Sequence, residues 1–552
     1  MAADDGAQPE NWTWRDRAAG SVPRGRTLDP TVEPVPDIQA FPTVYVPDRL
    51  LVSGDGEGGG DGEGGGDGEG GGGRASRLRE LSAAAEELGW RIELENLAGE
   101  PLGDAEAEPE PLVGGVPAVT RVRVVVARDT PDGELRYAPD AWRLLQRARL
   151  RARSTLPGVG LDHVLAIDPV RVNPFTQTNP FTQTNPFTQT NPFTQTNPYG
   201  AAEYARPGCG GRQPITRLGA GPARGPAPKR GQRRAVVAIL DTGCGEHEWL
   251  PDDIVTRQLH IDGRPIGLTD EADPERYGDL YGQLDGEIDP VAGHGTFIAG
   301  VVRQLAPDAD IVSVRLADAL GIVEESLLIR TLSEVIELAL RHATGKKGGV
   351  AIDVLSLSLS FYHETPEDGL YSRTVYDLLR VARGLGIAVV CSAGNDAIDR
   401  PSFPASLWAW PGADNGIDPD DLAEHVSVGA LNPGETSVAL FSNVGPWVRV
   451  FAPGAAVVSC LPAFHGGRQA ATREDRYDRR RQTIAPEDYR GGFATWSGTS
   501  FAAPFVAGLI AAELGQGRVT STANTSGGTV GRSRKATESA LSFVAADDGS
   551  KV

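Results

Sequence analysis

The chain has 552 residues, 40% of them apolar, with 69 glycines and 41 prolines. That is too long for one ordinary compact domain and apolar enough to bury at least one sizeable core. Its 53 basic against 74 acidic residues leave a net charge of −21, which disfavours nucleic acid and anionic membranes as partners.

The start, Met1-Ala-Ala-Asp-Asp-Gly, has no basic n-region and no apolar h-region. No apolar stretch approaches the roughly 20 residues that span a bilayer. Cys209, Cys244, Cys391 and Cys460 show no CxxC spacing and read as free thiols of a reducing compartment. The expectation is a cytoplasmic monomer, with export by a non-standard route as the alternative.

Residues 1–42, rich in Pro, Asp and Gly, are expected to be disordered. From 43 to 170 a pattern emerges. Val44 to Val52 has strand character, interrupted by Pro47. Residues 54–73 repeat Asp-Gly-Glu-Gly-Gly-Gly. Calcium-binding rolls need an apolar residue in each turn and none occurs here, so a flexible loop is expected. Arg77 to Leu88 has helical spacing, with Leu78, Leu81, Ala85 and Leu88 on one side. Ile92 to Leu94 and Val119 to Val126 read as strands, Ala138 to Ala152 as a helix, and Leu161 to Ile167 as a closing strand. The order β-α-β-β-α-β predicts a small α+β domain of ferredoxin-like fold.

Four tandem copies of Asn-Pro-Phe-Thr-Gln-Thr occupy 173–196. A proline every six residues and no aliphatic side chain exclude a helix or packed strand. Extended, this stretch reaches roughly 75 Å. With the Pro/Gly/Arg-rich segment 217–234 it predicts an exposed, cleavable linker over 171–232; a docking ligand for a partner rests on the Phe spacing alone.

From 233 to 515 the texture changes. Apolar runs at Ala235-Leu240, Ile311-Val314, Val354-Leu359, Ile387-Cys391, Val426-Ala430 and Val448-Ala452 alternate with helical segments such as Leu327-Ala343 and Val375-Leu385. Continuous apolar strands are buried on both faces, and their alternation with helices predicts a doubly wound α/β fold with a mostly parallel sheet. Ligands of such sheets sit at the carboxyl ends of the strands. Residues 516–552 are expected to form a disordered tail.

Four segments place reactive groups at such ends. Asp241 follows the run 235–240 and precedes Thr242-Gly243. His294 lies between two glycines at the start of an apolar helix, where the imidazole is held rigidly. Ser500 sits in Gly498-Thr499-Ser500-Phe-Ala-Ala-Pro504; the proline is tolerable only near a helix start, which puts Ser500 where backbone N–H groups favour developing negative charge. Asn395 ends Ser392-Ala-Gly-Asn after another buried strand, where its amide can donate to an oxyanion beside the Ser500 N–H. Taken singly, each has a bland reading: a turn carboxylate, a capping histidine, an N-cap serine, a turn asparagine.

Jointly, in the order Asp, His, Ser, they resemble the subtilisin-like serine proteases (subtilases, peptidase S8) over about 233–515. The resemblance implies a serine endopeptidase with Ser500 as nucleophile, His294 as general base, Asp241 orienting it and Asn395 in the oxyanion hole. It implies that Ser358, Leu359 and Ser360 offer backbone hydrogen bonds to an extended polypeptide substrate, and that Ala393 and Gly394 form the other wall of the specificity pocket. It also implies that the N-terminal domain resembles a propeptide, which assists folding and then inhibits with its tail in the cleft. The long linker makes a retained regulatory domain the alternative to a discarded one. No cofactor is expected; calcium, which some relatives bind, is the alternative for the acidic segment 261–290, with Asp270, Glu271, Asp273 and Asp289, although the segment lacks calcium-ligand spacing. Phe297 stands where many relatives repeat a histidine, His247 is read as structural, and Cys244 places a thiol near the site. The rival from another class is a catalytically silent peptide-binding module.

Overall fold

A computed structural model describes residues 24–36, 38–55, 73–102, 109–127, 138–167, 201–281, 287–365, 373–413, 415–466, 472–516 and 526–546. The hexapeptide repeats and most of the loop 54–73 lie outside these residues.

Alternating side chains build the N-terminal sheet. In β1 (Val44–Ser53) Leu50 and Val52 enter one core while Leu51, between them, enters another. Helix α1 (Arg74–Glu87), β2 (Trp90–Glu95), β3 (Val119–Val126), α2 (Ala141–Ala152) and β4 (Val159–Ala166) follow. The antiparallel strands lie in the order β4-β1-β3-β2, the arrangement of a split β-α-β unit. One face packs on the two helices through Trp90, Val122, Trp142 and Leu145. The opposite face, with Leu51, Val119 and Leu165, belongs to a core shared with the larger body.

That body is built on a sheet buried on both sides. In β5 (Val236–Asp241), Val237 and Ile239 face one core, and Val236, Ala238 and Leu240 the other. Helix α3 (His294–Leu305), β6 (Asp310–Arg315), the short β7 (Ile322–Glu324), α4 (Glu325–Ala343), β8 (Val354–Leu357), α5 (Arg373–Gly384), β9 (Ala388–Ser392), β10 (His425–Leu431), β11 (Val450–Pro453) and α6 (Thr499–Gln516) follow. Their sheet runs β11-β10-β9-β8-β5-β6, continued by Val255–Thr256, with all seven strands parallel. This is the doubly wound α/β architecture expected from the sequence. Helix α6, apolar on every side, lies in one core and α4 and α5 in the other. Strand β7 leaves this sheet and pairs antiparallel with β4, joining the two bodies.

Three segments read as disordered or as linker are ordered where described. Residues 24–42 are held by Leu28, 2% exposed, by the pairing of Arg26–Thr27 with β1, and by Glu33, which accepts bonds from Arg143 and Arg147. Residues 201–234 lie along the larger body: Gln213–Pro214 pairs with Ala494 and Thr495, and Arg234 bonds to Asp308 at 3.0 Å. Arginine there finds carbonyls and carboxylates, so a segment poor in apolar residues still docks. Residues 526–541 form α7, which buries Ser533, Ala536, Thr537 and Ala540 at helical spacing, and Ala545–Ala546 pairs with β11.

Candidate active site

Asp241 is the last residue of β5 and has no exposed surface. Its Oδ1 accepts the Thr242 N–H at 2.8 Å and the His294 Nδ1–H at 2.7 Å, an ionised carboxylate being acceptor only. His294 begins α3, after Gly293 at φ 78°. A side chain at 293 would collide with Leu461, its Cβ only 2.5 Å from Cδ1, so glycine is required twice over. The imidazole packs edge-on against Trp496 (centroids 5.5 Å apart) and beside Phe501 (5.2 Å). Its Nε2 is buried without a hydrogen-bond partner among the described residues, so no bond to Ser500 is formed in this state; such bonds are often long until substrate binds.

Ser500 is the second residue of α6, 1% exposed, next to the Phe501 that touches His294. Pro504 lies within the helix and has no N–H for the Ser500 carbonyl four residues earlier. The Ser358 hydroxyl takes that place, donating to the Ser500 carbonyl at 3.0 Å. Asn395 is tied to the same helix start: its Oδ1 accepts the Thr499 N–H at 2.9 Å and lies 3.0 Å from the Thr499 hydroxyl. The Asn395 NH2 lies 3.6 Å from where a Cβ on Gly498 would stand.

The groove residues are also brought together. Ser360 pairs through both its N–H and its C=O with Ala166 at 3.1 Å, so the end of β4 occupies the edge predicted for substrate. The Ile167 N–H donates to the Gly321 carbonyl at 2.8 Å, and β7 flanks the other side of β4. The Leu359 side chain lies in the core, which leaves only its backbone for a ligand. The Ala393 N–H is bonded to Val428 within the sheet region. The Gly394 N–H donates to the Thr499 hydroxyl at 3.1 Å, and at φ 102° a Cβ there would meet Asn443 at 2.5 Å.

Sequence reasoning missed Glu275. Fully enclosed, its carboxylate accepts the Gly295 N–H at 2.9 Å and bonds the hydroxyls of Thr242 and Thr296, so it caps the helix that carries His294 and braces the residue beside Asp241. Burial pushes its pKa up to about 7, against the pull of the two hydroxyls. Arg212 was missed as well. It donates to the carbonyls of Ile288, Asp289, Pro290 and Ala292 and lies 4.9 Å over the Trp496 ring, which touches His294. A segment read as linker gave no signal for it.

His247 has a structural place: Nε2 meets the Gly492 carbonyl at 2.8 Å and Nδ1 accepts the Trp249 N–H. Burial pushes the Cys244 thiol up to about 12, away from the thiolate form that acts as a nucleophile. Asp270 and Asp289 are engaged by Arg315 and by the N–H groups of Leu280 and Tyr281. Among the described residues no helix is long and apolar enough to cross a membrane.

The sequence model of the subtilase family, peptidase S8, matches residues 232–526. An intracellular serine protease of Paenibacillus polymyxa is 28% identical over 291 residues, 50% of this chain and 66% of that protein. Subtilisin-like protease 2 of Pseudogymnoascus destructans is 32% identical over 236 residues, 42% of this chain and 44% of that protein. A thermophilic serine proteinase of a Bacillus species is 26% identical over 275 residues, covering 46% and 53%. The chain thus spans about half to two thirds of the length of these relatives. A crystal structure of a cold adapted subtilisin-like serine proteinase matches at 22% identity over 54% of this chain and 80% of that one, with a TM-score of 0.33.

Proposed function

This chain belongs to the subtilase family, and from that premise we propose that it is a serine endopeptidase whose N-terminal body occupies its own substrate groove. The observation that carries the first part is the 2.7 Å bond from His294 to Asp241, set beside the start of the helix that bears Ser500. Ser500 attacks a peptide carbonyl as His294 Nε2 takes its proton; Asp241 holds the imidazole in the tautomer with hydrogen on Nδ1. The Ser500 N–H and the Asn395 amide bind the tetrahedral oxyanion. His294 then protonates the leaving amine, and water attacks the acyl-enzyme.

The second part rests on Ala166 and Ile167. A polypeptide substrate binds by strand addition, and the edge of Ser360 and the Gly321 carbonyl are already bonded to the end of β4. The N-terminal body is therefore both inhibitor and folding partner of the larger one, and activity awaits its displacement. Four unpaired cysteines suit work in the cytoplasm, where controlled processing of chosen substrates fits better than scavenging. Ser500→Ala tests the assignment: hydrolysis of a peptide substrate should be abolished, and undiminished hydrolysis would sink it.

A further inference from the structure

Strand β4 carries a second chemical feature one turn of pairing before the groove. His163 is 1% exposed and meets two carboxylates of the larger body, with Nδ1 2.6 Å from Glu325 and Nε2 2.7 Å from Glu364. His363, also buried, lies with its Nδ1 3.5 Å from the same oxygen of Glu364, and its ring centroid is 4.8 Å from that of His163. One donor atom from each of His163, His363 and Glu364 lies within 4.8 Å of the others. The second oxygen of Glu364, Oε1, is buried without a partner among the described residues. An enclosed carboxylate oxygen left unpaired costs free energy unless a cation or donor reaches it.

We infer that His163, His363 and Glu364 form a binding site for a divalent transition metal ion of the zinc class, shared between the N-terminal body and the larger one. Two imidazoles and one carboxylate are a donor set zinc accepts, and imidazole disfavours calcium and magnesium. Donors around zinc stand roughly 3.3 Å apart, so the His163–Glu364 contact opens slightly and His363 closes in. Glu325 behind the far nitrogen of His163 directs Nε2 inward, as carboxylates do behind metal-bound imidazoles. His363 Nδ1 now takes the Thr365 N–H in a long bond of 3.2 Å, which the ion replaces. A proton on His163, bridging Glu325 and Glu364, is the competitor; Arg149 and Arg400 act on the cluster from further off.

This site is distinct from the triad and does not depend on the triad being active. Its placement does bear on the occupied-groove reading, because an ion here links β4 to the residues that follow Ser360.

The test uses the full chain carrying Ser500→Ala, stripped with a chelator and titrated with zinc alone, followed by calorimetry and native mass spectrometry, with cobalt as a spectroscopic probe. One ion per chain is expected, with a tetrahedral cobalt spectrum. Glu364→Gln should abolish binding, and Glu325→Gln should weaken it about 10- to 100-fold; the second variant keeps the ligands if the first fails to fold. No ion bound by the Ser500→Ala chain, or undiminished binding in both variants, overturns the site. In the otherwise native chain, zinc should slow the onset of peptidase activity. Zinc that binds but leaves activity unchanged keeps the site and removes the occupied-groove reading.

Discussion

The Ser358 hydroxyl donates to the Ser500 carbonyl at 3.0 Å, the carbonyl that Pro504 leaves without a helical donor. A residue expected to line the groove with its backbone thus also fixes the turn that carries the nucleophile.

Removing that hydroxyl strands a buried carbonyl, at a cost of about 1–3 kcal/mol. Ser358→Ala should lower kcat on the order of 10- to 100-fold through small misplacement of Ser500, with KM little changed. Ser358→Thr keeps the donor and should restore most of the rate. Steady-state kinetics on a short peptide separates the two.

Glu275 gives a pH dependence with a definite sign. Its carboxyl titrates at about 7 in the fold, raised by burial from an ordinary value of 4.5. The folded chain holds this proton more tightly than the unfolded one, so its contribution to stability is full below about 4.5 and falls as pH rises to about 7. That shift corresponds to on the order of 3 kcal/mol. Glu275→Gln keeps the acceptor for the Gly295 N–H and should flatten the curve of Tm against pH in that window. An unchanged slope would contradict the assignment.

Arg212 clamps the loop ahead of His294 by donating to four carbonyls and stacking on Trp496. Arg212→Ala should destabilise the chain by about 2–3 kcal/mol, since its bonds are charge-assisted. Arg212→Lys should recover little, because an ammonium cannot reproduce the planar fork. Thermal unfolding of both variants checks this.

Occupation of the groove can be loosened at one residue. Ile167→Pro removes the N–H that bonds to the Gly321 carbonyl, while Ala166 before it already has the extended backbone a proline demands. Loss of that bond, about 0.5–1.5 kcal/mol, together with the trimmed side chain of Ile167, buried in the shared core, predicts inhibition weaker by roughly tenfold or more, read as faster hydrolysis of an added peptide at equal protein concentration.

The parts legible in the sequence were those whose local neighbours explain them. A buried apolar run ending in Asp241, a histidine between glycines and a serine ahead of Pro504 each carry their structural context within about ten residues. Glu275 did not, because its partners Thr242 and Gly295 are distant in sequence and it lies in a segment whose acids were weighed for calcium. The Ser358 hydroxyl matters only because of Pro504 on another element. Helix α7 gives little signal because, Val530 apart, it buries Ser533, Ala536, Thr537 and Ala540, residues too small or polar to mark an apolar stripe. Arg212 and Arg234 dock residues 201–234 through polar bonds that composition does not reveal.

Peptide hydrolysis by this chain requires that His294 make the Ser500 hydroxyl nucleophilic. Mass spectrometry of the chain after treatment with a fluorophosphonate, with the N-terminal body first displaced by limited proteolysis, reads this directly. We predict one adduct, located on Ser500 and absent from His294→Ala, with peptide hydrolysis by that variant lower on the order of a million-fold, as for other triad serine peptidases. An unlabelled Ser500 in the displaced form, or equal labelling in His294→Ala, would contradict it.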